Sequence, residues 1–413
     1  MPDNDVENIT QEKPEGAENP APEKPSAPKK KRGFFSKLFR FFLFSFIGII
    51  LLLVGLVLFL QTSFAKNWIL HYAIDKVNES LASKESRIYA ESIEGSIISG
   101  LKLNKASVVV KKDTLLNFEY IDLGYDLWGI PNKNVYVSKV ILSNPTVNLT
   151  KVNFTKDSLM WNLNYLLRSD KPEEPEDTVK KPFDWKITAD KIEIINGNFR
   201  ILKNKNSDLP IGLIPVTNIN EFGISNLFIK NFNLDLSAKY YPDRKTVDIK
   251  KINFNTNSDF NVKNLSLQTI IQKNKQTQVN NLNLTTNKTK VDIKTVSLDD
   301  FDPLEQKVEY EKFDDRIMTL DITTDKFDFD DLKFFLPDLN FLDGRVYLNF
   351  KVKGKYNNFT FEKLQLKTDN SFYNLAGTIK NLDEPDKLYL DVTSNQSEID
   401  HIDTISFIPC LPD

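Results

Sequence analysis

The chain of 413 residues contains one cysteine, Cys410, and two histidines, His71 and His401. A single thiol excludes an intramolecular disulfide framework, and so few histidines exclude the Cys/His clusters that hold structural zinc or iron. Cys410 has no basic neighbour in sequence to hold it as a thiolate, so it reads as an incidental thiol. Charge of either sign is not in excess: 54 Lys and Arg against 57 Asp and Glu leave a net charge of -3, no field that gathers nucleic acid. The patterns G-x-S-x-G, G-x-x-x-x-G-K-[ST], G-x-G-x-x-G and H-E-x-x-H are missing, and neither histidine has a catalytic companion. The sequence is therefore expected to be no enzyme, to need no cofactor and to bind no nucleic acid.

Residues 1–33 are rich in Pro, Glu, Asn and Lys, too polar to bury a core, and read as a disordered tail. Lys29, Lys30, Lys31, Arg32, Lys37 and Arg40 then precede an uncharged run from Phe41 to Leu60, long enough for a hydrocarbon core of roughly 30 Å. A transmembrane helix is expected over 34–62, with Phe41 and Leu60 as its limits. The cations on its N-terminal flank predict a cytoplasmic N-terminus and a body beyond the membrane. A cleaved signal peptide is the competing reading, because Ser63-Phe64-Ala65 loosely resembles a small-x-small site; the run is long for a signal. Over 63–86, Ile69, Tyr72, Ala73, Val77 and Leu81 recur at helical spacing, which predicts a short amphipathic helix that caps the body.

From about residue 87 the period changes to two, with β-branched and aromatic residues between Asn, Asp, Lys and Gly. An eight-residue pattern recurs, apolar at positions 1, 3, 6 and 8. It occurs as Val135/Val137/Val140/Leu142, Ile187/Ala189/Ile192/Ile194, Phe222/Ile224/Leu227/Ile229, Val247/Ile249/Ile252/Phe254, Phe260/Val262/Leu265/Leu267, Val291/Ile293/Val296/Leu298 and Phe359/Phe361/Leu364/Leu366. Side chains i and i+2 share a face of a strand, so the two halves of this pattern share one only if an extra residue intervenes. A β-bulge between positions 3 and 6 is predicted, and its repetition would curve a sheet in one sense. Simple alternation appears in Phe232/Leu234/Leu236, Val346/Leu348/Phe350/Val352 and Leu388/Leu390/Val392. The segments read as one quasi-continuous antiparallel sheet in which each strand contacts its neighbours.

Helical interruptions are predicted at Ser158–Arg168 and Asp328–Leu336, the second opening on an N-cap aspartate and closing at Pro337, with an exposed linker over Lys171–Lys181. The clusters Asp299/Asp300/Asp302 and Asp328/Asp330/Asp331 read as turn and cap aspartates, not as calcium ligands or a glycosidase pair. Trp128 and Trp161 read as core aromatics. The apolar face must be covered by a second layer, closed on itself or filled by an apolar ligand, so a sandwich, a barrel and an open lipid-lined trough all remain open.

Ile93-Glu94-Gly95-Ser96 with Gly100-Leu101-Lys102-Leu103, then Tyr120–Trp128, Val135–Leu149 and Trp161-Asn162-Leu163, resemble the N-terminal region of TamB-like proteins within the AsmA-like group. Leu342–Leu382, with Gly344, Gly354 and Gly377 between alternating strands, is similar to that family's repeating sheet. The resemblance spans roughly residues 34–400 and rests on order more than on any single motif. It implies a bacterial inner-membrane protein of outer-membrane biogenesis, with a periplasmic body over 87–413 shaped as a β-taco groove. That groove would carry phospholipid acyl chains passively toward the outer membrane, and an outer-membrane barrel protein is the implied partner.

The alternative role is a scaffold that assists assembly or secretion of outer-membrane β-barrel proteins through an exposed strand edge; a plain structural ectodomain is the third. The chain departs from the family pattern in ending at Ile408–Asp413 without the long C-terminal domain, so a truncated reading frame is expected. Roughly 18 to 20 strands would span on the order of 90 Å. The groove is expected to be lined by Phe232, Leu234, Leu236, Val247, Ile249, Ile252 and Phe254, by Val291, Ile293, Val296 and Leu298, and by Val346, Leu348, Phe350, Val352, Phe359, Phe361, Leu388 and Leu390.

Overall fold

The computed structural model describes residues 34–81, 85–155, 158–168, 183–202, 226–273, 275–303, 316–333, 344–355, 357–382 and 384–403. The chain divides into two units, 1–58 and 59–413. Most of the first helix, α1 (Phe34–Gln61), belongs to the first unit; its 28 residues rise about 42 Å at 1.5 Å each. Phe44–Gln61 holds no charged residue and none of it is buried, so it is long and apolar enough to cross a membrane. Thr62 ends this helix: its hydroxyl donates to the Phe59 carbonyl at 2.7 Å and accepts from the Ala65 N–H at 3.2 Å, capping α2 (Ser63–Leu81).

The second unit is mainly β. Its strands are β1 (Ser86–Tyr89), β2 (Ser92–Ser96), β3 (Gly100–Val110), β4 (Asp113–Asp126), β5 (Asn134–Ser143), β6 (Thr146–Thr155), β7 (Ser158–Trp161), β8 (Lys186–Leu202) and β9 (Asn226–Tyr241). They continue through β10 (Arg244–Thr256), β11 (Val262–Gln272), β12 (Gln276–Thr286), β13 (Lys290–Asp299), β14 (Ile317–Asp328), β15 (Arg345–Lys355), β16 (Asn358–Lys367), β17 (Phe372–Lys380) and β18 (Tyr389–Ser394). Two short helices interrupt them, α3 (Asn162–Leu167) after β7 and α4 (Phe329–Lys333) after β14.

From β8 to β18 each strand pairs antiparallel with the next, a meander built from local contacts. The N-terminal part departs from the expected all-antiparallel sheet. β5 and β6 form one long strand broken at Asn144-Pro145, antiparallel to β4 and parallel to β8, with β7 and α3 in the crossover. The sheet is thus mixed, with one parallel junction. Among the described residues β1 and β2 pair only with β3, and β18 only with β17, so no strand pairing closes a barrel.

The bulges stand where the eight-residue pattern requires them. Register shifts fall at Val137/Lys139 opposite Gly124/Tyr125, at Ala189/Ile192, Ile249/Ile252, Val262/Asn264, Ile293/Thr295 and Phe361/Leu364. In the copy Phe222/Ile224/Leu227/Ile229, the first two residues lie outside the described residues. Asn196, Asn231 and Asn281 take positive φ of 53°, 52° and 51° beside such irregularities; asparagine tolerates this left-handed conformation better than a bulky residue does. Gly377 serves a different need: a Cβ there would lie 2.2 Å from the Asp391 carbonyl oxygen, so only glycine lets β18 approach β17.

Buried residues concentrate along one rim of the sheet, where the β3–β4, β10–β11, β12–β13, β14–β15 and β16–β17 turns lie. Val110, Leu115 and Tyr165 form a cluster there under α3, and Leu202 packs on Phe228. Threonine–aspartate latches hold the same rim. The Thr286 hydroxyl donates to Asp331 of α4 at 2.5 Å while accepting from the Thr289 N–H at 2.8 Å. Thr368 repeats the arrangement, donating to Asp403 and accepting from the Ser371 N–H at 2.7 Å.

The first predicted helical interruption begins later than expected, whereas the second begins at its predicted cap. Ser158–Trp161 is a strand paired with β6, because a hairpin satisfies more backbone groups than a solvent-exposed helical turn, and the helix starts at Asn162. Asp328 closes β14 and accepts from the Asp330 N–H at 3.1 Å, the cap read from the sequence, with the helix following at Phe329; its predicted end at Leu336 and Pro337 lies outside the described residues. The linker over 171–181 and Cys410 lie outside the described residues.

Candidate functional site

Residues directly opposite one another in a ladder share a face. The register threads an unbroken row: Ile93, Leu103, Ile121, Leu142, Ile194, Leu234, Ile252, Leu265, Leu284, Val291, Thr324, Leu348, Leu366 and Tyr373, each facing the next. It runs from β2 to β17, and only Thr324 breaks its apolar character. At about 4.8 Å per strand the row extends on the order of 60 Å. A second row parallels it through Leu236, Ile249 and Leu267, then Leu282, Ile293, Ile322, Phe350, Leu364 and Leu375, with a bulge between Leu267 and Leu282.

The residues expected to line a groove fall on this one face, with differing access. Phe232, Leu234, Leu236, Val247, Ile249, Ile252, Phe254, Ile293, Val296, Leu298, Leu348, Phe350 and Phe359 are half-buried. Val291, Val346, Val352 and Phe361 are buried, the last two at 1% and 3% exposure, shut in by their sheet neighbours. Leu388 precedes β18 and is exposed, as is Leu390 within it. Rings gather toward the latched rim: Phe199 meets Phe232 edge-on at 5.1 Å, and Phe232 stacks on Phe254 at 6.0 Å. Of the two anchor limits, Phe41 lies in α1, its side chain outside the described residues, and Leu60 is half-buried.

A polar row crosses the opposite face. Gln268, Asn280, Thr295, Asp321, Lys351 and Lys363 form a matching row across β11 to β16. Thr295 Oγ1 donates to Asn280 Oδ1 at 3.0 Å, and Lys351 pairs with Glu362 at 2.7 Å. That hydrogen bond and charge hold Lys351 above the ordinary lysine value, Asp321 adding to the effect, and hold Glu362 below the ordinary carboxylate value. Along this row the sheet is two-sided, apolar on one face and polar on the other.

The carboxylate clusters resolve into structural partners. Asp302 pairs with Lys245 at 2.6 Å, both nearly buried; Asp328 pairs with Arg345, and Asp330 with Lys288 and Lys333, which lower its pKa. No group of three metal-capable side chains occurs among the described residues. Trp128 is 82% exposed, contrary to the core reading, because it sits in a turn where Asp126 Oδ1 accepts its N–H. Trp161 is half-buried with Lys151 over its ring.

Sequence reasoning also missed how α2 meets the sheet. Its apolar stripe stays in solvent, with Ile69, Tyr72 and Val77 exposed, while polar side chains contact the strands. Asn78 accepts from the Ile88 N–H at 2.7 Å and donates to its carbonyl at 2.9 Å; Asn67 accepts from the Ile93 N–H at 2.9 Å; Lys66 donates to the Gly95 carbonyl. These side chains stand where a further strand would. A cleft of about 1130 Å³ remains between α2 and β1, lined by His71, Asp75, Glu79, Arg87 and Lys111 among others. The sequence signal for α2 was its asparagines, which periodicity analysis does not score. Comparison with family models, with curated proteins and with solved structures finds no match for this chain.

Proposed function

We propose that the chain is a membrane-tethered β-scaffold that carries phospholipid acyl chains along its apolar face. The observation behind this reading is the unbroken row from Ile93 to Tyr373, half-buried along much of its length, with a polar row on the reverse face from β11 to β16. Apolar side chains left between water and nothing else are costly, and fatty tails satisfy them without directional bonds. Transport along such a face needs area and continuity, not a reacting group. The curved, groove-like form expected from the family resemblance belongs to this proposal, as do the bacterial inner membrane, the cytoplasmic N-terminus, the periplasmic body and delivery toward the outer membrane.

The sequence of elements supports the tether. An apolar helix long enough to span a bilayer is followed at once by α2, whose Phe64, Trp68 and Tyr72 are exposed at 74%, 62% and 57% on one stripe. Aromatic residues of this kind favour the membrane–water boundary. The test is copurification. Full-length protein extracted from membranes should carry phospholipid detectable by mass spectrometry, and Leu348→Asp with Phe350→Asp should strip most of it. Asn349→Asp with Lys353→Asp, on the reverse face, should leave the load intact. Equal loads in both double variants, at matched folding, would count against the reading. The second role, a scaffold for barrel-protein assembly, is favoured by a different feature, the outer side of β18, with which no described residue pairs.

A further inference from the structure

The rim opposite the latches begins one helical turn from the apolar span. The last turn of α1, from Phe59, belongs to the same unit as the sheet. The Lys66 N–H donates to the Thr62 carbonyl at 3.1 Å, so Lys66 stands a single turn beyond the end of the span at Gln61. Its ammonium donates to the Gly95 carbonyl, which ties the turn between β2 and β3 to the start of α2. The end of β4 is bound to the same turn: the Tyr125 N–H donates to the Ser99 carbonyl at 3.0 Å, and the Tyr125 hydroxyl to the Ile97 carbonyl at 2.8 Å.

What these contacts gather is apolar and uncovered. Phe64 and Trp68 of α2, Ile98 of the β2–β3 turn, and Leu127, Trp128 and Ile130 of the β4–β5 turn are all exposed. The turn that carries Trp128 is firmly built. Asp126 Oδ1 accepts the Trp128 N–H at 2.9 Å, the Ile130 N–H donates to the Leu127 carbonyl at 3.2 Å, and the Asn132 and Asn134 N–H groups share the Gly129 carbonyl, each at 3.0 Å. Glycine allows this closure, since a Cβ at Gly129 would lie 2.4 Å from the Asn134 carbonyl oxygen. A side chain already held outward by such a turn loses little further freedom on meeting a surface.

β8 begins beside the same turn, where the Lys186 N–H donates to the Lys133 carbonyl at 2.8 Å. The stretch that leads into it, 169–182, lies outside the described residues, and Val179 is its only apolar residue besides prolines, so its composition offers no hydrophobic cover. Large exposed apolar patches mark contact surfaces, and tryptophan in particular favours the membrane–water boundary. We infer that the β2–β3 and β4–β5 turns, with the first turns of α2, seat this rim of the sheet on the phospholipid bilayer that α1 crosses, Ile98 and Trp128 entering at the level of the headgroups. The bilayer is the occupant because it is the apolar phase that the chain itself brings within one helical turn of the patch. The inference rests on the tether in the reading above and not on what fills the apolar face.

A polarity-sensitive fluorophore on single introduced cysteines, in a Cys410→Ser background, tests it. The full-length protein is reconstituted in vesicles of phosphatidylethanolamine and phosphatidylglycerol containing doxyl-labelled lipid. Labels at Ile98→Cys and Trp128→Cys should be quenched, most strongly by doxyl groups near the headgroup, whereas a label at Lys112→Cys in the β3–β4 turn of the latched rim should not. Trp128→Ser with Ile130→Ser should lower the quenching at Ile98→Cys by about twofold or more. Leu348→Asp with Phe350→Asp, which empties the apolar face, should leave the quenching at Trp128→Cys unchanged; its loss there assigns the signal to cargo lipid and overturns the inference. A label at Leu53→Cys within the span separates the two possible failures. Quenching at Leu53→Cys with none at Ile98→Cys and Trp128→Cys overturns the inference alone, and quenching at none of them overturns the tether with it. Equal quenching at Lys112→Cys, or blue-shifted emission at Ile98→Cys and Trp128→Cys without quenching, the sign of a protein cover, also overturns it.

Discussion

The two ends of the sheet carry the same liability and treat it differently. A strand edge exposes unpaired N–H and C=O groups that template further pairing. At β1 and β2 those groups are taken by Lys66, Asn67 and Asn78 of α2, so the helix quenches the edge without apolar packing. At β18 the outward groups of Leu390, Val392 and Ser394 meet no described residue. The difference teaches that an amide side chain can stand in for a strand; buried Asn162 of α3 does the same for β6, accepting from the Thr150 N–H at 3.3 Å and donating to the Asn148 carbonyl at 2.7 Å.

The comparison can be broken most forcefully by placing one charge at two points of the apolar face. Val352→Asp puts a carboxylate at a 1% exposed site between Leu320 and Phe361 and should cost at least about 3 kcal/mol in chemical denaturation. Leu390→Asp, on the same face in β18, should stay within about 0.5 kcal/mol. Next, Asn78→Leu leaves the Ile88 N–H and carbonyl unpaired and should cost about 1–3 kcal/mol, with faster amide exchange at Ile88 and none at β18.

Thr286→Val and Thr368→Val test the latched rim between those ends. Each removes a hydroxyl bonded to a carboxylate, and each should cost about 1.5–3 kcal/mol by thermal unfolding, since the two latches are built alike. The smallest effect concerns pH. Burial raises the Asp403 pKa, but hydrogen bonds from Thr368, Ser371 and Asn370 outweigh it and hold the group below the ordinary value. A depressed folded pKa gives stability that is fully present above the unfolded value of about 3.9 and lost as pH falls through the folded one. Asp403→Asn should therefore lower the melting temperature at pH 7, with the gap to wild type closing in acid.

Much of the sheet was legible in the chain because its signal is local. Apolar residues at positions 1, 3, 6 and 8 demand a bulge, and Ile249/Ile252 and Phe361/Leu364 bear it. The parallel junction of β5 and β6 with β8 was not legible: it depends on a crossover through β7 and α3, and no periodicity reports which distant strand a strand will meet. Trp128 misled because a large aromatic suggests core while its turn position leaves it exposed. The docking of α2 was hidden because three polar residues make it.

The central claim, that acyl chains occupy the apolar face, is tested most directly by a photoreactive side chain placed in turn at Leu348, Asn349, Phe350 and Lys351. These positions alternate between the two faces of β15. Phospholipid adducts at Leu348 and Phe350, with none at Asn349 and Lys351, are the result expected. Adducts without that alternation, or none at any of the four in lipid-replete membranes, would contradict the account.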